Sequence, residues 1–216
     1  MSKKEILKRY LIFTAGLFFS ALGIAFTKQG DLGMSTVSSA PYVMSMQFDS
    51  ISFGMWSTIS NCTFVLLQVI ILRKNFKPIQ LLQIPFSFLF GYFTDFGVWL
   101  ISPIPVSNYL MQMLMVLIGI AVLSFGITLA VIADVMYNSG EGLVKAISDV
   151  SGFKFGNVKV AFDISVVALA VVLSLLFFGE VRGVREGTII SAILTGFTVK
   201  LMTKPLSKPL NSILTR

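Results

Sequence analysis

The sequence contains no histidine and a single cysteine, Cys62, among its 216 residues. Without histidine there can be no Ser-His or Cys-His catalytic site, no histidine-ligated zinc, and no imidazole that titrates near neutral pH. One cysteine forms neither an internal disulfide nor a thiolate metal cluster. We therefore expect no metal site, no cofactor and no enzymatic activity.

Charged residues are also scarce, at 12% of the chain, whereas hydrophobic residues make up 55%. An ordinary soluble domain has about 25% charged residues. The net charge of +7 comes from cations spread along the chain in a pattern that fits membrane topology, so no nucleic-acid partner is expected. The composition is typical of a polytopic membrane protein that lies in a lipid bilayer.

Six segments are long and apolar enough for membrane-spanning helices, which need roughly 20 apolar residues. They are predicted at residues 10–27, 50–72, 78–101, 109–133, 155–178 and 184–203. The fifth contains Lys159 and Asp163, and the sixth contains Glu186 and Lys200. These charged faces are expected in the interior of the helix bundle. A cleaved signal peptide is the competing interpretation of residues 1–27.

The distribution of lysine and arginine predicts the orientation, because short cytoplasmic loops retain cations. If the N-terminus is cytoplasmic, ten cations lie on the inner side: Lys3, Lys4, Lys8, Arg9, Arg73, Lys74, Lys77, Lys204, Lys208 and Arg216. Six spans then return the C-terminus to the cytoplasm. We predict that both termini are cytoplasmic.

Motifs that recur after 102 to 105 residues indicate an internal duplication. The matching positions are Gly16 with Gly119, Gly23 with Gly126, Asp31 with Asp134, Gly54 with Gly156, Asn61 with Asp163, and Gly91 with Gly196. Because each repeat has three spans, the second enters the membrane from the opposite side. We predict one polytopic membrane domain over residues 1–216, with inverted repeats at about 10–101 and 109–204.

A short segment follows the first span of each repeat, at residues 34–46 and 140–150. Both segments are too short to span a membrane. In the second, Leu143, Val144, Ile147 and Val150 form an apolar helical stripe. We expect amphipathic or re-entrant half-helices here, with surface helices or loops as the alternative.

Several motifs resemble the YczE-like group of bacterial integral membrane proteins, which is related to the YitT proteins. They are GxxxxxLGIAxxxxxDLGxS at 16–35, FGxW at 53–56, KVAFD at 159–163 and GEVRGVREGT at 179–188. The resemblance covers nearly the whole chain. It implies a six-helix protein of the bacterial plasma membrane that is usually regarded as a transporter.

Lys159 and Asp163 are the first candidates for a solute-binding site. They are four residues apart and share one helical face. A lone charge at a helix centre costs about 2.5 to 3.5 kcal/mol on insertion scales, so the pair either receives a zwitterionic or polar solute or satisfies itself and fixes helix packing. Asn61, the repeat counterpart of Asp163, is a further candidate, with a helix–helix hydrogen bond as the alternative.

Four other polar side chains complete the candidate set. Asp31 and Asp134 precede the two short segments and are expected to cap them, with solute contact as the other possibility. Asn138 and Glu141 flank Gly140 in the second segment. They are candidates for a gate or a solute contact, and a solvated loop explains them equally well.

Two further features concern the helices themselves. Asp95 and Lys200 occupy corresponding positions and are expected to anchor their helices at the membrane interfaces. Small residues along the first and fourth spans, including Gly16 and Gly126, indicate close packing within the chain or a docking ridge for a partner subunit.

Together these features predict a secondary transporter or permease for a small polar metabolite, working by alternating access between two inverted repeats. A substrate-capture subunit of a multi-component importer is one alternative. A non-transporting membrane scaffold or regulator is another. The expected partners are the bilayer, a small-molecule solute, and either a second copy of the chain or a partner membrane subunit.

Overall fold

The computed structural model describes residues 3–215, and Arg216, counted among the inner cations, lies outside them. The described chain folds into α1 (Lys3–Gly30), α2 (Thr36–Gln47), α3 (Phe53–Leu72), α4 (Gln83–Ile101), α5 (Tyr109–Ala133), α6 (Ser139–Ser151), α7 (Phe155–Phe178) and α8 (Glu186–Thr215). Two short 3-10 turns, Arg73–Asn75 and Pro78–Leu82, connect α3 to α4.

Six of these helices are long and apolar enough to cross a membrane: α1, α3, α4, α5, α7 and α8. Each overlaps one of the six predicted segments, although α1 begins before residue 10 and α8 extends beyond residue 203. The prediction of an all-α membrane protein is confirmed. The other two, α2 and α6, have only 12 and 13 residues. They follow α1 and α5, at the places where short segments were predicted.

The centre of the fold is an antiparallel pair formed by α1 and α5. A Cβ atom on Gly16 would lie 2.7 Å from the carbonyl oxygen of Gly126, and one on Gly30 would lie 2.8 Å from the carbonyl oxygen of Gln112. Between these two points, a Cβ atom on Gly23 would lie closer still to the amide nitrogen of Leu123. Any side chain at these positions would separate the two backbones. The small residues predicted to form a ridge therefore pack within the chain.

The α1–α5 pair carries one long helix on each side. α4 packs against α1, where the rings of Phe13 and Phe86 meet edge to face with 5.2 Å between their centroids. α8 packs against α5, where Leu194 lies against the apolar cluster that includes Val116 and Ile120. The two outer contacts thus repeat the same arrangement with different side chains.

The short helices pack against the opposite half of the chain. α2 lies on α7, where Ala40, Val43 and Val166 belong to one buried apolar cluster. α6 lies on α3, where Gln68 fills the space beside Gly142. The two halves are thereby interlocked, because each short helix is buried against a long helix of the other half.

α3 and α4 are in close contact. A Cβ atom on either Gly54 or Gly91 would collide with the carbonyl oxygen of the other glycine. One helical turn further on, the Thr58 hydroxyl donates a hydrogen bond to the Ser87 carbonyl at 3.1 Å. No space remains between the two helices along this stretch.

Asp95 has a different role from the predicted interface anchor. Its carboxylate accepts hydrogen bonds from the Ser52 hydroxyl at 2.5 Å and from the Gly54 amide at 2.7 Å. Both donors lie at the start of α3, where free amide groups and the positive end of the helix dipole favour an anion. α4 therefore caps α3 as well as packing against it.

α7 and α8 diverge instead of packing together. Gly156 and Gly196 match Gly54 and Gly91 in the sequence, yet a Cβ atom on either would have no atom of a surrounding residue within 4 Å. These two helices are also the least buried of the six long ones. A gap between α7 and α8 takes the place of the tight contact seen between α3 and α4.

Replacing Gly23 by Ala is expected to destabilise the fold, because the new methyl group must displace the backbone of α5. Overpacking of this kind costs roughly 1 to 3 kcal/mol, so the melting temperature in detergent should fall by several degrees. Gly156→Ala is the matched control, since open space surrounds Gly156 and alanine favours the helix. Equal melting temperatures for the two variants would contradict this account of the α1–α5 contact.

Candidate functional site

A cavity of about 460 Å³ lies inside the bundle. Residues of all eight helices line it. Its volume falls within the range of roughly 300 to 1,000 Å³ that is typical of small-molecule sites. Most of the wall is apolar, and the polar groups come mainly from the starts of α2 and α6 and from one face of α7.

Both short helices begin at this cavity. Their N-cap residues, Ser35 for α2 and Asn138 for α6, line it together with the first helical residues Thr36 and Ser139. Neither N-cap side chain forms a capping hydrogen bond. The first amide groups of a helix lack intrahelical partners and carry partial positive charge. Two positive helix ends therefore face the same space.

α7 contributes an ion pair to the cavity wall. The Nζ atom of Lys159 donates hydrogen bonds to the two carboxylate oxygens of Asp163 at 2.5 and 2.6 Å. The Thr36 hydroxyl reaches Asp163 at 3.3 Å and so connects the pair to the start of α2. The Lys159 and Asp163 side chains are 31% and 24% exposed. The four-residue spacing in the sequence correctly indicated that these two groups meet.

Glu141 is the third charged residue of the cavity wall. It is the third residue of α6, and the charges of Lys159 and Asp163 both act on it. Burial raises the pKa of the Glu141 carboxyl, the positive charge of Lys159 lowers it, and the negative charge of Asp163 raises it again. Among residues 3–215, the Glu141 carboxylate has no hydrogen-bond or ion-pair partner.

The remaining predicted residues divide into two groups. Asn61 and Asn138 line the cavity. Asp31 and Asp134 do not; both are exposed and have left-handed backbone angles, φ 53° and 48°, just after α1 and α5. The prediction that they cap the short helices is wrong, because non-helical residues separate them from N-caps such as Ser35.

A buried polar network beneath α6 has no counterpart among the predicted site residues. The amides of Gln68 on α3 and Gln83 on α4 exchange hydrogen bonds at 3.0 and 3.2 Å. Gln68 also donates to the Ser139 carbonyl at 3.0 Å, and the Ser139 hydroxyl lies 3.2 Å from that of Ser87. This network fixes the start of α6 at the cavity. The sequence signal for this network was limited to Gln68 and Gln83 themselves, each in a mainly apolar segment that also holds other polar residues.

Replacing Gln68 by Leu is expected to cost about 1 to 3 kcal/mol of stability, because the Gln83 amide and the Ser139 carbonyl lose a partner in a buried environment. The double variant Gln68→Leu/Gln83→Leu should recover part of this loss, since it removes one of the unpaired groups. Thermal unfolding in detergent measures both effects. A single variant as stable as the wild type would contradict the network.

Comparison with known proteins agrees with the six long apolar helices. The model of a family of unknown function, DUF6198, matches residues 7–204. The uncharacterized membrane protein YczE of Bacillus subtilis (strain 168) is 25% identical over 199 residues, which cover 92% of this chain and 86% of that protein. No solved structure gives a significant match. The resemblance to YczE-like proteins is thereby confirmed.

Proposed function

We propose that this chain, which belongs to the DUF6198 family of unknown function, is a secondary transporter for a small polar metabolite. The observation that carries the proposal is the central cavity, which is lined by all the helices and holds three charged side chains and two helix N-termini. A cavity with these polar groups in an otherwise apolar bundle suits a polar solute in transit.

The proposal includes two inverted repeats. α1 packs with α5; α4 packs on α1 as α8 packs on α5; and α2 packs on α7 as α6 packs on α3. If the two halves of the chain are exchanged, the α4–α1 contact becomes the α8–α5 contact, the α2–α7 contact becomes the α6–α3 contact, and the α1–α5 contact is unchanged. Such an exchange is expected when two repeats are related by a pseudo-two-fold axis in the membrane plane. In this scheme α2 and α6 are re-entrant helices that line the cavity.

One pair of helices departs from this two-fold relation, and the difference supports alternating access. α3 is closed against α4, whereas α7 is separated from α8. In a transporter with inverted repeats, each repeat takes the form of the other when the protein changes state. Closure of α7 on α8 would bring Gly156 to Gly196 and Val160 to Ala192. Of these four residues, Val160, Ala192 and Gly196 line the cavity.

Charge explains why the gap lies between α7 and α8 in this state. Asp95 on α4 caps the start of α3, but the corresponding residue on α8 is Lys200, and the N-cap of α7 is Lys154. Closure would bring two cations together at the positive end of a helix, which is unfavourable. The arrangement with α3 closed on α4 is therefore the more stable one when the cavity is empty.

The orientation of this state follows from the cations. With the N-terminus in the cytoplasm, as the lysine and arginine distribution predicts, Gly156 near the start of α7 lies towards the inner side. We infer an inward-open state in the bacterial plasma membrane, with both termini cytoplasmic. An enzymatic activity, a cofactor and a nucleic-acid partner are not part of the proposal.

Transport by this chain is favoured over the two alternatives. The ridge of small residues on α1 faces α5, so it is not available to dock a partner subunit of an importer. A scaffold or regulator would have no use for an unpaired carboxylate in an internal cavity. A second copy of the chain could still cover the exposed sides of α7 and α8.

Purified protein in liposomes is expected to accumulate at least one solute from an equimolar mixture of amino acids and small amines under an imposed pH gradient. Asp163→Asn should lower this uptake about tenfold or more, because a charged contact in the cavity is lost, while the yield of folded protein stays unchanged. Mass spectrometry of the liposome contents measures the uptake. Ser165→Ala is the matched control, since Ser165 lies on the exposed side of α7 and away from the cavity.

Two results would count against the proposal. No accumulation above that of empty liposomes, with the gradient in either direction, would contradict transport by the chain alone and favour the importer subunit. Uptake that is unchanged by Asp163→Asn would remove Asp163 from the solute site.

A further inference from the structure

The charges of the cavity wall do not cancel among the side chains. Within the described part of the chain, the charged residues that line the cavity are Lys159, Asp163 and Glu141. Lys159 and Asp163 neutralise each other in their ion pair. Glu141 is left as a carboxylate with no partner in residues 3–215.

The helix dipole favours an anion such as Glu141 in the first turn of α6, but no hydrogen bond from residues 3–215 holds its carboxylate in place. A glutamate at the third position of a helix often accepts a hydrogen bond from the amide of the N-cap residue, which here is Asn138. The described chain forms no such bond, and the carboxylate lines the cavity instead. An unpaired carboxylate that is partly buried in a cavity wall lowers stability, so its place there calls for a binding role.

The two helix N-termini add partial positive charge to the cavity wall, but they do not remove the need for a positive group beside Glu141. The N-terminus of a helix corresponds to about half a positive charge, and two of them face the cavity. Each is already close to a carboxylate, since Glu141 lies in the first turn of α6 and Thr36 connects the start of α2 to Asp163. A solute of small net charge that places a positive group beside Glu141 satisfies all of these groups.

The positive group belongs to an organic molecule and not to a metal ion. In the searched residues, no group of three or more acidic or cysteine side chains could hold a metal. The wall also contains Phe13, Phe86 and Phe90, and aromatic rings of this kind suit the apolar part of an organic molecule. A cavity of about 460 Å³ further leaves room for a body much larger than an ion.

We infer that the cavity binds a small organic solute through a protonated amino group, which lies against the Glu141 carboxylate while the apolar part of the solute packs against the phenylalanines of α1 and α4. The inference rests on the proposed function because it takes the cavity as the transport site. Its test does not require transport, so the two can fail separately.

The test measures the charge preference of the cavity with two thiol reagents of similar size. A reporter cysteine is placed in the cavity wall by Thr195→Cys in a Cys62→Ser background, and Glu141→Gln and Glu141→Asp are added to it in turn. The probes are the cationic (2-trimethylammonioethyl) methanethiosulfonate and the anionic (2-sulfonatoethyl) methanethiosulfonate. Ser151→Cys is the matched control, because Ser151 is exposed at the end of α6 and does not line the cavity.

The ratio of the cationic to the anionic reaction rate at Thr195→Cys is expected to fall about tenfold with Glu141→Gln, because one negative charge is removed from a cavity wall where charges interact more strongly than in bulk water. Glu141→Asp should retain the ratio, and the ratio at Ser151→Cys should not change in any variant. A ratio that is the same with Glu141 and with Glu141→Gln would overturn the inference. So would faster reaction with the anionic reagent while Glu141 is present.

Discussion

The close contact between the backbones of α1 and α5 is the constraint on which the rest of the structure depends. Glycines at 16, 23 and 126 allow the two helices to touch without intervening side chains, and dispersion contacts over this length replace the hydrophobic effect that is absent between helices in lipid. α4 and α8 then pack on the outer sides of the pair. Their positions, and with them the walls of the cavity, follow from this single interface.

α7 is held differently from its counterpart α3. α3 is fastened directly to α4 by Gly54 and by the Asp95 cap, whereas α7 contacts the bundle mainly through the short helices α2 and α6. Because both short helices begin at the cavity, a solute that binds there acts on the same elements that carry α7. In the proposed transport cycle, solute binding would be coupled to movement of α7 through these contacts, of which the hydrogen bond from Thr36 to Asp163 is the most direct.

The periodic features of the sequence predicted much of the fold, and isolated polar residues predicted less of the site. Long apolar runs and glycines seven residues apart indicated the six long helices and the packing of α1, because both depend on local composition. The Lys159–Asp163 pair was also predictable, since four residues make one helical turn. The roles of Asp95 and Gln68 depend on partners that are distant in the chain. The predicted capping role of Asp31 was wrong because non-helical residues follow α1 and place the N-cap of α2 at Ser35.

Distances between spin labels across the two helix pairs test alternating access most directly. Labels at Met55 and Tyr92 span α3 and α4, and labels at Asn157 and Phe197 span α7 and α8; all four sites are exposed and are equivalent between the repeats. In Cys62→Ser protein in lipid nanodiscs, we expect that conditions which shorten the distance between residues 157 and 197 lengthen the distance between residues 55 and 92. A distance between residues 157 and 197 that stays long and unchanged with every pH and solute, while the other stays short, would contradict it.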